Sequence, residues 1–284
     1  MKRVPSGAVP AAAVCCAFLL AACGDIHRTA PASAGLPSSA GLTRVAAIEQ
    51  QLDALPRNPD GELVRQGYRI FIDTPTYAPQ YSGNALSCGN CHLDAGQGPG
   101  AAPMWAAWGM YPAYLPRRHR ISTFEERIQQ CFRFSMNGVP PPLDSPVVQA
   151  LAGYSQWLAR GRPIGVELPG RGYPAVPQTG SVPDAQRGQG LYQKRCAQCH
   201  GADGAGQPQG SGRPLFPPLW GSGSYNKGAG MHRVELLAGF LKGNMPYGNP
   251  DLKDQDALDL AAWINGQKRP PDPQDGMFSR LFGS

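Results

Sequence analysis

Two short motifs in the chain combine cysteine and histidine at a spacing suited to a metal-containing cofactor. They span residues 88–92 and 196–200, and each has the form Cys-x-x-Cys-His. This is the attachment pattern of haem c, in which both thiols add to haem vinyl groups and the imidazole ligates the iron. A lone Cys-x-x-Cys pair also fits half of a zinc site or a redox pair, but two copies with an immediate histidine favour two haem groups. The predicted attachment residues are Cys88, Cys91, Cys196 and Cys199, and the predicted proximal iron ligands are His92 and His200.

The composition suits small haem domains. The 284 residues are enough for two domains of ordinary size. Gly 36, Pro 30 and a charged fraction of 16% indicate loop-rich domains whose core is partly filled by haem. The formal net charge is +6, without a basic run interleaved with aromatic residues, so we expect no nucleic-acid partner.

The eight cysteines divide in a way that leaves one thiol over. Cys15 and Cys16 fall in an N-terminal leader, Cys23 lies at its end, and four belong to the motifs. Cys131 remains, and no other cysteine is left to pair with it. A disulfide framework is therefore excluded.

The first 22 residues predict export from the cytoplasm. A basic start precedes an apolar run that is too short to span a membrane. Residues 20–23 resemble a bacterial lipobox, which predicts a lipid anchor on Cys23 at the periplasmic face of a membrane. A plain secretory signal, giving a soluble periplasmic protein, is the alternative. Residues 23–55 are predicted to be a flexible tether.

Periodic apolar residues predict two similar helical domains. Helices are expected over about 60–73, with Asn58 or Asp60 as cap and a close crossing at Gly67, and over about 145–160. Residues 162–183, which contain five prolines, predict a linker. A short helix from Asp184, a long Gly/Pro-rich loop and a helix over 252–267 follow. This order resembles class I cytochrome c, so the predicted fold is all-α, with tandem haem domains at 56–161 and 184–268 and a tail at 269–284.

The second axial iron ligand determines what each haem can do, because methionine raises its reduction potential and thiolate lowers it. In the second domain Met245, which is followed by a proline just before the last helix, is the favoured ligand, and Met231 is the alternative. The first domain leaves several candidates open. They are Met104, Met110, His119, Cys131 and Met136.

Cys131 lies in a predicted helix over 124–138 that ends at Gly138. A lone cysteine is most often a small buried apolar residue. In an oxidising compartment, however, a ferric haem that lacks a ligand would account for an unpaired thiol, because the metal stabilises the thiolate.

The residues around Cys131 resemble a known family signature. Residues 126–128, Cys131 and residues 135–138 are similar to the thiosulfate dehydrogenase (tetrathionate-forming) dihaem cytochromes, TsdA. The similarity continues through residues 216–221, 228–231 and 244–246, and thus covers both predicted haem domains.

The resemblance implies a ligand set and a reaction. His92 and Cys131 would ligate a catalytic first haem, and His200 and Met245 a second haem that passes electrons on. Arg117 and Arg127 would bind anions, and Ser135 would lie beside Cys131. Some relatives offer a lysine at the second haem, for which Lys242 is a distant candidate here because Asn244 precedes the methionine.

The implied reaction joins two thiosulfates into tetrathionate reversibly and releases two electrons, which two haems can accept one at a time. A small periplasmic cytochrome is the expected electron acceptor. Guanidinium groups suit sulfonate oxygens, and five arginines surround Cys131 in the sequence, although such a cluster also fits a solvated basic face. They are Arg117, Arg118, Arg120, Arg127 and Arg133.

Two other functions remain open at this point. One is transfer of thiosulfate to a cysteine of a carrier protein in sulfur oxidation, which also uses thiolate-ligated haem. The other is electron transfer without a bound substrate, in which Cys131 only tunes the reduction potential.

Overall fold

A computed structural model describes residues 39–115, 119–207 and 214–275, and these residues are mostly helical. The helices are numbered along the chain: α1 (Ser39–Asp53), α2 (Pro59–Ile72), α3 (Thr74–Tyr77), α4 (Leu93–Gly96), α5 (Met104–Ala107), α6 (Phe124–Gln130), α7 (Pro146–Ala159), α8 (Ala185–Arg195), α9 (Ala197–His200), α10 (Val234–Asn244) and α11 (Asp254–Gly266). Short 3₁₀ turns lie at Cys88–Asn90, Trp108–Met110 and Gly230–His232, and a π-helical turn spans Cys131–Ser135.

One small antiparallel hairpin, which the sequence did not predict, interrupts the helices. Strands β1 (Ala113–Leu115) and β2 (Arg120–Ser122) pair with Tyr114 opposite Ile121. Both strands are only three residues long, so the hairpin changes the predicted helical fold little.

Helix α2 begins where its capping residues place it. The Asn58 side chain accepts a hydrogen bond from the Gly61 backbone nitrogen at 2.9 Å, and Pro59 occupies the first turn, where no amide donor is needed. Asp60 and Glu62 add negative charge near the positive end of the helix dipole. The helix predicted over 60–73 is therefore confirmed, with Asn58 rather than Asp60 as its cap.

Helices α2 and α7 cross closely because a glycine lies at the crossing point. A Cβ atom on Gly67 would collide with the backbone carbonyl of Ala150 and crowd Tyr154. Ser145 caps α7 by accepting from the Val148 nitrogen. The predicted helix over 145–160 and its crossing of α2 at Gly67 are thus confirmed.

Helices α8 and α11 repeat this arrangement in the C-terminal part of the chain. Asp184 caps α8 through the backbone nitrogens of Gln186 and Arg187, at 2.7 and 2.9 Å. A Cβ atom on Gly188 would collide with the backbone of Asp259 in α11. Both predicted C-terminal helices are confirmed, and each pair of crossing helices meets at a residue without a side chain.

Two helices lie where the sequence predicted irregular chain. Helix α1 falls within the predicted tether, and it buries Ile48 and Leu52, one helical turn apart, in the first core. Helix α10 falls within the predicted Gly/Pro-rich loop, and it buries Leu237 and Leu241, which also lie one turn apart. The tether prediction is therefore wrong for α1, and the loop prediction is wrong for α10, because in each an apolar stripe stabilises the helix against a core.

The buried apolar residues of the described chain form two clusters, and the second cluster contains residues from both the N-terminal and the C-terminal part. The first cluster lies around α2 and α7, and the second around α8, α10 and α11. Leu86 and Phe134 come from the N-terminal part, residues 39–161, but belong to the second cluster. The C-terminal part, residues 184–275, therefore packs directly against the N-terminal part.

Residues 162–183, the predicted linker, contain no helix or strand, and hydrogen bonds attach them to the rest of the molecule. The backbone nitrogens of Gly100 and Ala102 donate to the carbonyls of Gly170 and Gly172 at 2.8 and 2.9 Å. Pro174 lies against Gly239 of α10. The segment thus crosses the molecule in contact with both parts.

Both ends of the chain lie outside the residues that the structure describes. The predicted leader, the lipid anchor on Cys23 and residues 23–38 lie outside the described residues, as do residues 276–284 of the predicted tail. Arg269, at the start of that tail, is buried and donates to the Ile264 carbonyl at 2.8 Å. Within the described ranges, no helix combines the length and the apolar character that a membrane span requires.

The two glycines of α8 allow a matched test of the crossing. We expect Gly188→Ala to destabilise the protein by about 1–3 kcal/mol, because the added methyl group must push α11 away. Gly190→Ala, two residues further along the same helix, meets nothing within 4 Å and should be neutral or mildly stabilising. Thermal melting of the haem-loaded variants measures both, and equal melting temperatures would contradict the close crossing.

Candidate functional site

The first Cys-x-x-Cys-His motif is fixed to the end of α2 by hydrogen bonds. The Thr74 backbone nitrogen donates to Ser87 Oγ at 3.0 Å, and Thr74 Oγ1 donates to the Ile70 carbonyl at 2.7 Å. Thr74 Oγ1 also lies 3.8 Å from Cys88 Sγ. The position of the first thiol is therefore determined by the helix that precedes it.

Both motif histidines are oriented in the same way. His92 Nδ1 lies 2.7 Å from the Ala102 carbonyl oxygen, and His200 Nδ1 lies 2.9 Å from the Pro217 carbonyl oxygen. A carbonyl oxygen only accepts hydrogen bonds, so in each ring Nδ1 carries the proton and Nε2 keeps its lone pair for a metal ion.

Burial keeps both imidazoles in the form that binds metals. It lowers the pKa of His92 to about 4 and also lowers the pKa of His200 below its ordinary value. Both rings are consequently neutral at pH 7, which is the state required of a histidine ligand.

Cys131 lies near the first motif. It begins the π-helical turn that follows α6, and the Met136 nitrogen donates to its carbonyl at 2.9 Å. Burial, with a further contribution from the nearby Cys131 thiol, raises the pKa of Cys88 and of Cys91 to about 12. The unpaired cysteine and the two motif cysteines thus lie close together, although 40 or more residues separate them in the sequence.

Arg127 lies one helical turn before Cys131 and interacts with its thiol. Its side chain is exposed to solvent, although many protein atoms lie close to the guanidinium group. The nearby Cys131 thiol raises the pKa of Arg127 further above its ordinary value. A permanently charged guanidinium group therefore lies beside the thiol.

Two tyrosines that the sequence did not single out lie near Arg127 and Cys131. Burial raises the pKa of Tyr111 and of Tyr173, and both hydroxyl groups interact with Arg127 and Cys131. The Tyr173 hydroxyl donates to the Cys91 carbonyl at 3.4 Å. Neutral hydroxyl donors thus lie next to a cation and a thiol, an arrangement that can bind a small anion.

The other predicted anion-binding residues are placed differently. Arg117 and Arg118 lie outside the described residues. Arg120 pairs with Glu126 at 2.8 Å and is half exposed, so its charge is already partly neutralised. Ser135 ends the π-helical turn as a half-buried residue.

The remaining first-domain candidates have other environments. Met104 and Met136 are buried in the first apolar cluster. Met110 is half buried in a 3₁₀ turn, and His119 is exposed beside the hairpin. Among the candidates left open by the sequence, Cys131 interacts electrostatically with both motif cysteines.

The turn that carries Cys131 is held by asparagines. Asn226 is fully buried, and its side chain donates to the Arg133 carbonyl at 2.9 Å while its backbone nitrogen donates to the Phe134 carbonyl at 3.1 Å. The Asn84 amide donates to the carbonyls of Ser135 and Ser224 at 2.9 and 3.0 Å. A π-helical turn leaves the regular backbone pattern, and these amides satisfy the carbonyls that it exposes.

The second motif lies beside the candidate distal ligands of the C-terminal part. Cys196 and Met245 pack against the second apolar cluster, and Met231 is buried within it. Lys242 donates to the Leu252 carbonyl at 2.7 Å and pairs with Asp254 at 3.0 Å. Both contacts engage the lysine ammonium group, whereas the two methionines pack in or against the second cluster.

This set of donors fits haem c. Each motif presents two thiols at the attachment spacing and an imidazole whose free nitrogen is Nε2. No cluster of three or more His, Cys, Asp or Glu side chains that could hold a metal ion occurs among residues 39–115, 119–207 and 214–275. An iron ion that brings four porphyrin nitrogens would need only an axial imidazole and one further protein ligand.

Comparison with known proteins identifies the family. Residues 183–264 match the model described as cytochrome c oxidase, cbb3-type, subunit III, which indicates haem c. The chain is 51% identical over 221 residues to a thiosulfate dehydrogenase of Stutzerimonas stutzeri, covering 78% of this chain and 72% of that protein. It is 39% identical over 261 residues to the thiosulfate dehydrogenase of Allochromatium vinosum, covering 87% and 96%. The chain belongs to the thiosulfate dehydrogenase family.

Family membership confirms the predicted class of enzyme, an oxidoreductase that acts on sulfur compounds. A solved thiosulfate dehydrogenase, TsdBA from Marichromatium purpuratum in its "as isolated" form, resembles the chain with a TM-score of 0.75 and 45% identity. The match covers 82% of this chain but only 52% of that one, so the chain spans about half the length of the solved protein.

Asn226 provides a test of how the Cys131 turn is held. Asn226→Asp keeps the shape of the side chain but sets a carboxylate oxygen against the Arg133 carbonyl. We expect it to destabilise the protein by about 2–3 kcal/mol, because a buried hydrogen bond becomes a repulsion. Asn249→Asp, at an exposed position, should change little. Thermal melting measures the stability of both variants. A wild-type melting temperature for Asn226→Asp would show that this hydrogen bond does not hold the turn.

Proposed function

We propose that the protein oxidises two thiosulfate ions to tetrathionate, reversibly, at a first haem ligated by His92 and Cys131. The electrons leave through a second haem ligated by His200 and Met245. The observation that carries the proposal is the placement of Cys131 beside the Cys88 and Cys91 thiols and Arg127. The relatives named thiosulfate dehydrogenase support the choice of substrate.

Two tandem cytochrome c domains would hold the two haems, one for each motif. Cys88 and Cys91 would bind the first haem, and Cys196 and Cys199 the second. Each bound haem supplies a one-electron acceptor, so the pair matches the two electrons that the reaction releases.

The protein residues must first bring two dianions together. Arg127 contributes a fixed positive charge beside Cys131, while Tyr111 and Tyr173 contribute neutral hydroxyl donors. Guanidinium and hydroxyl groups bind sulfonate oxygens and offset the repulsion between the ions. Arg117 and Ser135 remain proposed members of this site on the basis of family resemblance.

Cys131 can take part in forming the new sulfur–sulfur bond. Its thiolate joins the terminal sulfur of one thiosulfate, a bond that forms with the loss of two electrons to one-electron acceptors. The second thiosulfate then attacks that same sulfur, so the bond to Cys131 breaks, tetrathionate leaves and the thiolate is restored. Arg127 stabilises the anionic groups in both steps.

The electrons would pass to a small periplasmic cytochrome. This agrees with the predicted export of the chain, and the predicted lipid anchor on Cys23 would keep the enzyme at the periplasmic face of a membrane. Transfer of thiosulfate to a carrier-protein cysteine and electron transfer without a substrate are the other functions that the test must separate.

The direct test uses purified dihaem protein, thiosulfate and ferricyanide. We expect one tetrathionate for every two ferricyanide ions reduced, since each ferricyanide accepts one electron and each product releases two. Tetrathionate is measured by ion chromatography. An electron carrier would form none, and a transferase would form product only when a carrier protein is added.

Replacing Cys131 tests its role. We expect Cys131→Met to keep both haems, because the attachment cysteines are untouched, and to lower tetrathionate formation by about 100-fold or more. The pyridine haemochrome spectrum checks haem content, and ferricyanide reduction gives the rate. A variant with near-normal turnover would rule out a covalent role for the thiol.

Replacing Arg127 tests the binding of the anion. We expect Arg127→Gln to lower kcat/KM for thiosulfate by about 10- to 100-fold. This factor corresponds to the free energy of one hydrogen bond between charged groups. Arg57→Gln removes an exposed arginine that pairs with Glu62 rather than interacting with Cys131, and it should leave kcat/KM unchanged. Steady-state kinetics at constant ionic strength compare the two variants. Equal kcat/KM values would show that thiosulfate does not bind at Arg127.

A further inference from the structure

The segment that carries Met245 is hydrogen-bonded on both sides to the loop that follows His92. On one side, Asn244 Nδ2 donates to the Gly100 carbonyl at 3.0 Å. On the other, the Tyr247 hydroxyl donates to Asp94 Oδ1 at 2.6 Å. The candidate distal ligand of one haem is therefore fixed to the loop that bears the proximal ligand of the other.

Asp94 is the central residue of this connection. Its side chain is only 4% exposed, and both carboxylate oxygens have partners. Oδ2 accepts from Arg44 of α1, with Nε at 2.7 Å and Nη2 also in contact, while Oδ1 accepts from Tyr247. A buried carboxylate with an ionic partner and a hydroxyl partner makes stronger hydrogen bonds than a neutral acceptor.

The backbone around Asp94 is held in an uncommon conformation. Asp94 and Ala95 both have φ of +54°, in the left-handed region that costs a non-glycine residue energy. The Tyr154 hydroxyl of α7 donates to the Ala95 carbonyl at 2.7 Å, inside the first cluster. A strained turn of this kind persists only where its surroundings hold it, and here α1, α7 and Tyr247 do so.

We propose that Tyr247 and Asp94 form a bridge that positions Met245 on the second haem and joins the two haem-binding loops. This rests on the proposed function only in taking Met245 as the distal ligand. Tyr247 lies two residues after Met245, and Asp94 lies two residues after His92. The Tyr247–Asp94 hydrogen bond thus links the ligand loops of the two proposed haems beside the Asn244–Gly100 bond, and Tyr247 acts as a positioning residue.

The test measures how firmly methionine stays on the iron. Imidazole, added to the oxidised protein without thiosulfate, competes with methionine, and near-infrared magnetic circular dichroism separates methionine-ligated from thiolate-ligated haem. We expect Tyr247→Phe to bind imidazole at the second haem about tenfold more tightly, the effect of losing one hydrogen bond to a charged group. Its second haem should also have a lower reduction potential, since methionine ligation raises it.

A second variant keeps the test valid if Tyr247→Phe loses haem. Asp94→Asn retains an acceptor oxygen and suits the left-handed backbone, but loses the ionic pairing with Arg44. We expect a smaller shift in the same direction. Tyr77→Phe removes a hydroxyl group from an exposed tyrosine outside the bridge and should titrate like the wild type.

The outcomes separate this proposal from the proposed function. Wild-type imidazole affinity in both Tyr247→Phe and Asp94→Asn would overturn the bridge. A methionine band that survives in Met245→Ala would overturn the ligand assignment and the bridge with it. A wild-type protein that forms no tetrathionate would overturn the proposed function alone, because the titration contains no substrate.

Discussion

The hydrogen bond between a histidine Nδ1 and a backbone carbonyl is the interaction on which the rest of the site depends. It fixes the tautomer and the ring orientation of His92 and of His200, so that Nε2 of each ring keeps a lone pair that can bind a metal ion. The carbonyls belong to Ala102 and Pro217, which lie in irregular segments after each motif. Those segments must themselves be held in place. For the first of them, the Ala102 nitrogen donates a hydrogen bond to the Gly172 carbonyl of the connecting segment.

Much of the fold could be predicted because its signals are local. Asn58, Ser145 and Asp184 are capping residues next to periodic apolar runs, and Gly67 precedes an aromatic residue at a helix crossing. Helix α10 carried a similar apolar period, but its Gly- and Pro-rich flanks favoured a loop. Helix α1 carried only a weak period, since Ile48 and Leu52 are its main buried residues and alanines surround them.

The site was predictable only in part. The haem motifs and the leftover Cys131 could be read from residue types alone. The π-helical turn could not, because residues 131–135 have ordinary helix-forming character and the distortion depends on Asn84 and Asn226. Tyr111, Tyr173 and Tyr247 act through contacts with residues between 16 and 153 positions away, which no local pattern reveals.

The two acceptors of the Asn84 amide lie on opposite sides of the connecting segment, one at Ser135 and one at Ser224. If the polypeptide were cut within residues 162–183 and the fragments made separately, the N-terminal fragment would keep both Asn84 and the Ser135 carbonyl, whereas the Ser224 carbonyl of the C-terminal fragment would lose its donor. The fragments would also expose Leu86 and Phe134, which the intact chain covers. The N-terminal and C-terminal parts therefore share one buried seam, and neither part can be replaced by a foreign domain unless the residues of that seam are redesigned.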